Sequence, residues 1–143
     1  MKIPVRVLHN SSIFSAIGET GLQLYKFGRT VTVPFTGKLE SVKEAIKNNK
    51  KAGLHTLLLL DLDADVNLYM KVDAALKMLT KEKILRGSDH VVAAARLGME
   101  KPIIRYGSVK DLQNEDIDTP AVIVVPGKLH FQEKEFLETL WKL

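Results

Sequence analysis

Four histidines are the first candidates for chemistry, at positions 9, 55, 90 and 130 of the 143-residue chain. Their separations match no metal-ligand spacing, and each sits near a strand or turn boundary, so they read as structural or solvent-facing. Asp61, Asp63 and Asp65 form an Asp-x-Asp-x-Asp run like the start of a calcium-binding loop. Such a loop needs Gly at its sixth position and Glu at its twelfth, where Val66 and Val72 stand. The run therefore reads as a strand ending in solvated acids, with Asp65 or its neighbours turning the chain. Gly18-Glu19-Thr20-Gly21 lacks the spacing of a dinucleotide fingerprint, and no Gly-Lys-Ser or Gly-Lys-Thr pair is present to cradle phosphate. A serine nucleophile elbow is absent as well. With no cysteine, the chain has no thiolate metal site, cysteine nucleophile or disulfide.

Two clusters remain. Ser11, Ser12 and Ser15 lie where a strand hands over to a helix. Capping is their plain role, yet a strand end facing a helix start is also where α/β proteins place small ligands. Lys43, Lys47, Lys50 and Lys51 share one helix face opposite an apolar stripe. They read as a solvated face, or as a docking patch for an acidic protein or RNA. The few aromatics, five Phe, three Tyr and one Trp, are not interleaved as a base-stacking platform requires, which argues against nucleic acid.

The elements that must position these residues follow from periodicity. Ile3, Val5 and Val7 alternate with Pro4, Arg6 and Leu8 in an extended pattern that starts at position 2 and closes at His9-Asn10-Ser11-Ser12. A short helix at 13–17 is stopped by Gly18 and Gly21, and the β-branched run 30–33 is a strand closed by Pro34. Leu39, Val42, Ala45 and Ile46 recur at helical spacing, as do Val72, Ala75, Leu76 and Leu79. Residues 55–61 and 90–95 are apolar on both faces, which suits central strands covered on two sides. Residues 103–106 and 121–125 read as two more strands, the second ended by Pro126-Gly127. A last helix carries Phe136, Leu137 and Leu140 on one face, with Glu133 and Glu135 near its start and Lys142 at its end, as the helix dipole prefers. Strands alternating with helices predict an α/β domain: a mixed sheet, largely buried, flanked by helices over residues 1–143.

Composition agrees. With 45% hydrophobic and 27% charged residues the chain resembles ordinary globular proteins, and its length can bury a core without staples. The longest purely apolar runs, 57–60 and 91–95, fall far short of a membrane span, and the first residues lack a secretory pattern, so a cytoplasmic protein is expected. A net charge of +4 comes from 21 basic against 17 acidic residues, a mixed surface rather than a nucleic-acid signature.

Four runs carry a resemblance: SIFSAIGETGLQLYKFG at 12–28, GLHTLLLLD at 53–61, YGSVKDL at 106–112 and IVVPGKLH at 123–130. They are similar to segments of the archaeal and eukaryotic diphthine synthases, in the same order, and together span nearly the whole chain. The first run is the most diagnostic. That family belongs to the methyltransferases of the tetrapyrrole methylase fold, in which two α/β domains hold S-adenosylmethionine between them. The resemblance implies that this chain is the C-terminal domain alone. The glycine-rich first loop and the Thr-Pro-Gly-Asp-Pro segment of the N-terminal domain have no counterpart here.

The family's cofactor contacts transfer residue by residue. The Ser-Ile pair opening the first run matches Ser12 and Ile13, and the hydrophobic residue before the Asp that ends the central strand matches Leu60. The position after the Arg following the next strand matches Leu97, and the position before the run leading to Pro-Gly matches Ala121. The last two depart from the pattern, since an Ala and a His are familiar there. The implied cofactor is S-adenosylmethionine and the implied substrate is translation elongation factor 2, whose modified histidine is methylated on its amine during diphthamide synthesis. The implied partners include a separate N-terminal half and a second copy of the chain. A folded, non-catalytic subunit that self-associates or awaits that half is the alternative.

Overall fold

The structure is a computed structural model and describes residues 3–8 and 10–143. Its centre is a five-stranded mixed sheet. In chain order the strands are β1 (Val31–Val33), β2 (Thr56–Leu60), β5 (His90–Ala95), β6 (Ile103–Ser108) and β7 (Ala121–Val125), arranged β1-β2-β7-β5-β6. A separate two-residue hairpin, β3 (Leu62–Asp63) with β4 (Leu68–Tyr69), follows β2. β1 runs parallel to β2, whereas β7 is antiparallel to both β2 and β5, and β5 is antiparallel to β6. The mixed α/β sheet expected from the sequence is therefore present.

Because successive strand residues point to opposite faces, the apolar runs supply two cores. Leu58, Leu60, Ala93, Ala95, Ile123 and Val125 face one side, where α2 (Glu40–Lys51), α3 (Val72–Lys81) and α4 (Val109–Leu112) cover them. The helical stripes anticipated there are the buried ones: Val42, Ala45 and Ile46 on α2, and Val72, Ala75, Leu76 and Leu79 on α3. Leu57, Val92, Ala94, Ile104, Val122 and Val124 face the other side. They meet Ile17 and Leu22, which follow the short α1 (Ile13–Ala16), and Leu137, which follows α5 (Phe131–Phe136). Two-sided burial explains why β2, β5 and β7 read as continuous apolar runs rather than as alternating ones.

Two expectations need correction and a third needs extension. The extended pattern at the N-terminus forms no strand over residues 3–8, where Ile3, Val5, Val7 and Leu8 are all exposed. Alternation makes a strand only where an edge can pair with it, and neither β1 nor β6 pairs with this segment. Lys2 and His9, at the limits of that expected strand, lie outside the described residues. The acidic run after β2 does turn the chain at exposed acids, as expected, with Asp63 Oδ1 accepting from the Asp65 backbone N–H at 3.1 Å; beyond that expectation, the turn closes the β3–β4 hairpin. The last helix is α only over Phe131–Phe136, then widens to a π turn over Leu137–Trp141 before the chain pairs with the β6 edge, Leu143 N–H donating to the Tyr106 carbonyl at 2.9 Å.

Candidate functional site

The sheet's topology places three strand ends together. β2 and β5 flank β7 and run opposite to it, so the C-terminal ends of β2 and β5 adjoin the N-terminal end of β7, with Leu59 and Ala94 both opposite Val122 and Ala95 opposite Ala121. Ligands of α/β proteins gather at such ends because the connecting loops leave a crevice there. Here the crevice is a cleft of about 880 Å³. Its walls come from the segment 11–16, the end of β2, the loop 96–99 after β5, and residues 118–122 leading into β7.

Each wall is held by local chemistry. Ser12 caps α1: its Oγ accepts from Phe14 N–H at 3.2 Å, and its carbonyl accepts from Ala16 N–H at 2.9 Å. Capping is thus a real role for this serine, and it sits in the cleft wall as well. At the end of β2, the two carboxylate oxygens of Asp61 accept from the backbone N–H groups of Phe35 and Leu62, each at 3.0 Å, which fixes the turn out of the strand. Loop 96–99 is tied across to the segment after α1 by Gly98 N–H, which donates to Glu19 Oε1 at 2.6 Å. The lining is mainly apolar: Ile13, Leu59, Leu60, Leu97, Ala121 and Val122 dominate it, with a few polar groups at the rim.

All five residues proposed from the resemblance, Ser12, Ile13, Leu60, Leu97 and Ala121, line this one cleft. Leu60 and Ala121 are buried, and Ile13 and Leu97 pack partly buried against the core on the α1 side of the sheet. Sequence reasoning missed Arg96, Met99, Asp118 and Pro120 in the same lining. Among the described residues no group of His, Asp and Glu could hold a metal ion, and the four lysines of α2 are exposed and line no cleft wall.

A second constellation occupies the other end of β2. His55, fully buried, accepts through Nδ1 from Gly127 N–H at 2.9 Å, so the ring proton sits on Nε2 and is donated to Glu133 Oε1 at 2.9 Å. Glu133 also accepts from the backbone N–H groups of Gln23 (2.9 Å) and His130 (2.8 Å) and from Lys26 Nζ (2.7 Å), which in turn donates to the Lys128 carbonyl (2.6 Å). Burial alone would raise the Glu133 pKa, but these donors outweigh it and hold the carboxyl at about 2. Burial lowers the His55 pKa, against the upward pull of its Glu133 bond, and keeps the imidazole neutral near neutral pH. Every polar atom here is engaged within the protein, so the cluster anchors α5 to β2 and to the 3₁₀ turn Leu24–Lys26 rather than serving a ligand. The sequence signal for it was slight, since Glu133 reads locally as an ordinary first-turn acid.

No protein-family model matches the chain. The chain is 41% identical over 150 residues to the diphthine synthase of Methanococcus maripaludis, an alignment covering 98% of this chain and 59% of that protein. With the diphthine synthase of Methanosphaera stadtmanae it shares 44% identity over 149 residues, covering 96% and 57%. A solved structure from Entamoeba histolytica, assigned as a diphthine synthase, matches with a TM-score of 0.87 at 33% identity, over 99% of this chain and 61% of that one. Another diphthine synthase structure gives 0.85 at 31% identity, over 95% and 54%. The chain thus spans under two thirds of the length of the relatives it matches, 59% for the first. In sequence and in fold alike it is related to the diphthine synthases and resembles the C-terminal part of those proteins.

Proposed function

We propose that the cleft is one wall of an S-adenosylmethionine site and that the chain contributes it to diphthine synthase chemistry, the methylation of the amine on the modified histidine of translation elongation factor 2. The observation that carries this reading is convergence: Ser12, Ile13, Leu60, Leu97 and Ala121, from four separate stretches of sequence, line the same cleft. Its volume of about 880 Å³ and its apolar walls with few polar groups fit a ligand of nucleoside size. When bound, the cofactor supplies a sulfonium-activated methyl group. The chain's own work is positional. Ile13, Leu60 and Leu97 exclude water, Ser12 fixes the start of α1, and the small side chain of Ala121 leaves room where a larger residue would fill the cleft. An in-line displacement needs alignment and a dry site more than a protein nucleophile.

In this reading the single domain pairs with a separate N-terminal half that supplies the opposite wall, forms a homodimer, and works in the cytoplasm, with the exposed lysines of α2 helping to dock the elongation factor. No helix among the described residues is long and apolar enough to cross a membrane. Calorimetric titration of S-adenosylhomocysteine into the chain tests the reading, and about one site per chain or per dimer is expected. A folded chain that gives no heat is titrated again, and assayed for methyl transfer, with the N-terminal part of the Methanococcus maripaludis relative supplied. Silence in both settings refutes the proposal.

A further inference from the structure

Arg96 is the one cationic side chain among the described residues that line the cleft. The facing acid, Asp118, stands 3.9 Å away from Nη1 to Oδ2, beyond hydrogen-bonding distance, and the two side chains are 44% and 54% exposed. A pair this long and this wet is weak, so the planar fork of guanidinium donors stays available to a ligand. Asp118 already accepts from Thr119 N–H through Oδ1 at 2.9 Å, and Asp61, the other acid of the lining, spends both oxygens on backbone N–H groups.

The backbone holds this arginine in place at a cost. Arg96 has φ 57°, a left-handed conformation that a residue with a Cβ seldom adopts. Two residues later the Gly98 N–H bond to Glu19 fastens the loop to the segment after α1. Strain kept by its surroundings concentrates where a side chain must be presented to a ligand. A cation at the rim of an apolar cleft selects a molecule with an apolar body and an anionic end.

We infer that Arg96 receives an α-amino-acid carboxylate in this cleft. The inference rests on reading the cleft as an S-adenosylmethionine site, where that group has two sources: the methionine tail of the cofactor and the aminocarboxypropyl arm of the acceptor.

Two titrations on the wild-type chain, Arg96→Gln and Arg96→Lys separate them. The first compares S-adenosylhomocysteine with 5′-methylthioadenosine, a thioether nucleoside without the amino-acid end. The second follows the backbone N–H resonances of Leu97 and Gly98, which the wild type and both variants share, as 2-aminobutyrate is added to chain saturated with S-adenosylhomocysteine. A charge-assisted hydrogen bond is worth about ten- to a hundred-fold in affinity. If the cofactor is the source, Arg96→Gln weakens S-adenosylhomocysteine by about that factor and leaves 5′-methylthioadenosine unchanged. If the acceptor is the source, both nucleosides bind as before and the saturable 2-aminobutyrate response, present in the wild type, disappears. Arg96→Lys keeps the charge without the fork and falls between. Equal weakening of both nucleosides, or no change in either titration, overturns the inference and leaves the cofactor reading standing. No binding of either nucleoside to the wild-type chain, alone and with the N-terminal part of the Methanococcus maripaludis relative supplied, overturns both.

Discussion

Replacing Glu133 by Gln removes one charge from a fully buried carboxylate and keeps its shape. The wild-type group accepts four hydrogen bonds, from Gln23 N, His130 N, Lys26 Nζ and His55 Nε2. Its pKa falls from 4.5 to about 2 on folding. A depressed carboxylate pKa contributes stability that is fully present above pH 4.5 and is lost as the pH falls through about 2. The shift corresponds to about 3 kcal/mol at pH 7 and about 1 kcal/mol at pH 3. Gln mimics the protonated form, and its amide turns a donor toward Lys26 or a backbone N–H, so Glu133→Gln is expected to cost about 3 kcal/mol at neutral pH. For a chain of this length that is a fall in melting temperature of about 10 °C. Urea denaturation followed by circular dichroism at pH 7 and pH 3 measures the gap between variant and parent. A gap below about 1 kcal/mol at pH 7, or one that stays constant down to pH 3, would refute the claim that this carboxylate is held ionised by its donors.

His55 is expected to titrate below 6.5 and to show the Nε2-protonated tautomer by ¹⁵N NMR at neutral pH, because burial lowers its pKa and Gly127 N–H occupies Nδ1. The stability linked to it is complete above pH 6.5 and declines as the pH falls through the lowered value, so a midpoint above 6.5 would contradict the assignment. Gly28→Ala should destabilise by about 2 kcal/mol in chemical denaturation, because a Cβ there would fall on the Asn49 amide that bridges Arg29 and Thr56. An unchanged midpoint would show that Asn49 has another way to satisfy its partners. Leu97→Asp puts a carboxylate in the apolar cleft wall and should weaken S-adenosylhomocysteine by at least about ten-fold, with some fall in melting temperature because Leu97 also packs against the core. Undiminished affinity would remove Leu97 from the site.

The strands and long helices were legible because their signals are local. Residues 90–95 are read as a two-sided apolar run and form β5 over the same six residues, and the stripe on α3 is the buried one. Signals that depend on a distant partner were not. Glu133 lies 78 positions from His55, so nothing near either residue announces that their side chains meet. The 3–8 segment has a genuine strand pattern, but pattern fixes only the disposition of side chains and pairing needs an available edge. The cleft divides the same way. Residue types alone offered Ser12 as a cap, whereas Leu60, Leu97 and Ala121 carry no chemistry of their own and came from the resemblance. Arg96 was passed over because its significance lies in a backbone angle and in the apolar walls around it, neither of which has a sequence spacing.

β2 connects the two constellations and keeps them apart. His55 stands just before its first residue and Leu60 is its last, so the anchor and the cleft are separated by five residue steps, about 16 Å of extended chain. The division of labour follows from dielectric surroundings. At the His55 end His55 and Glu133 are sealed from water and every polar atom of the cluster is satisfied within the protein, which gives a rigid joint between β2 and α5 but leaves no group free to act on a ligand. At the Leu60 end the strand termini open into loops, the walls are apolar, and the exposed cation is not fully paired. Sites this far apart with no shared partners contribute nearly additively. Glu133→Gln should therefore lower the melting temperature without changing the affinity of the folded chain for a nucleoside, and in the double variant the affinity loss from Leu97→Asp should be unaltered. If the two substitutions proved strongly coupled in either property, the sheet would have to transmit strain along β2, and the anchor would belong to the site after all.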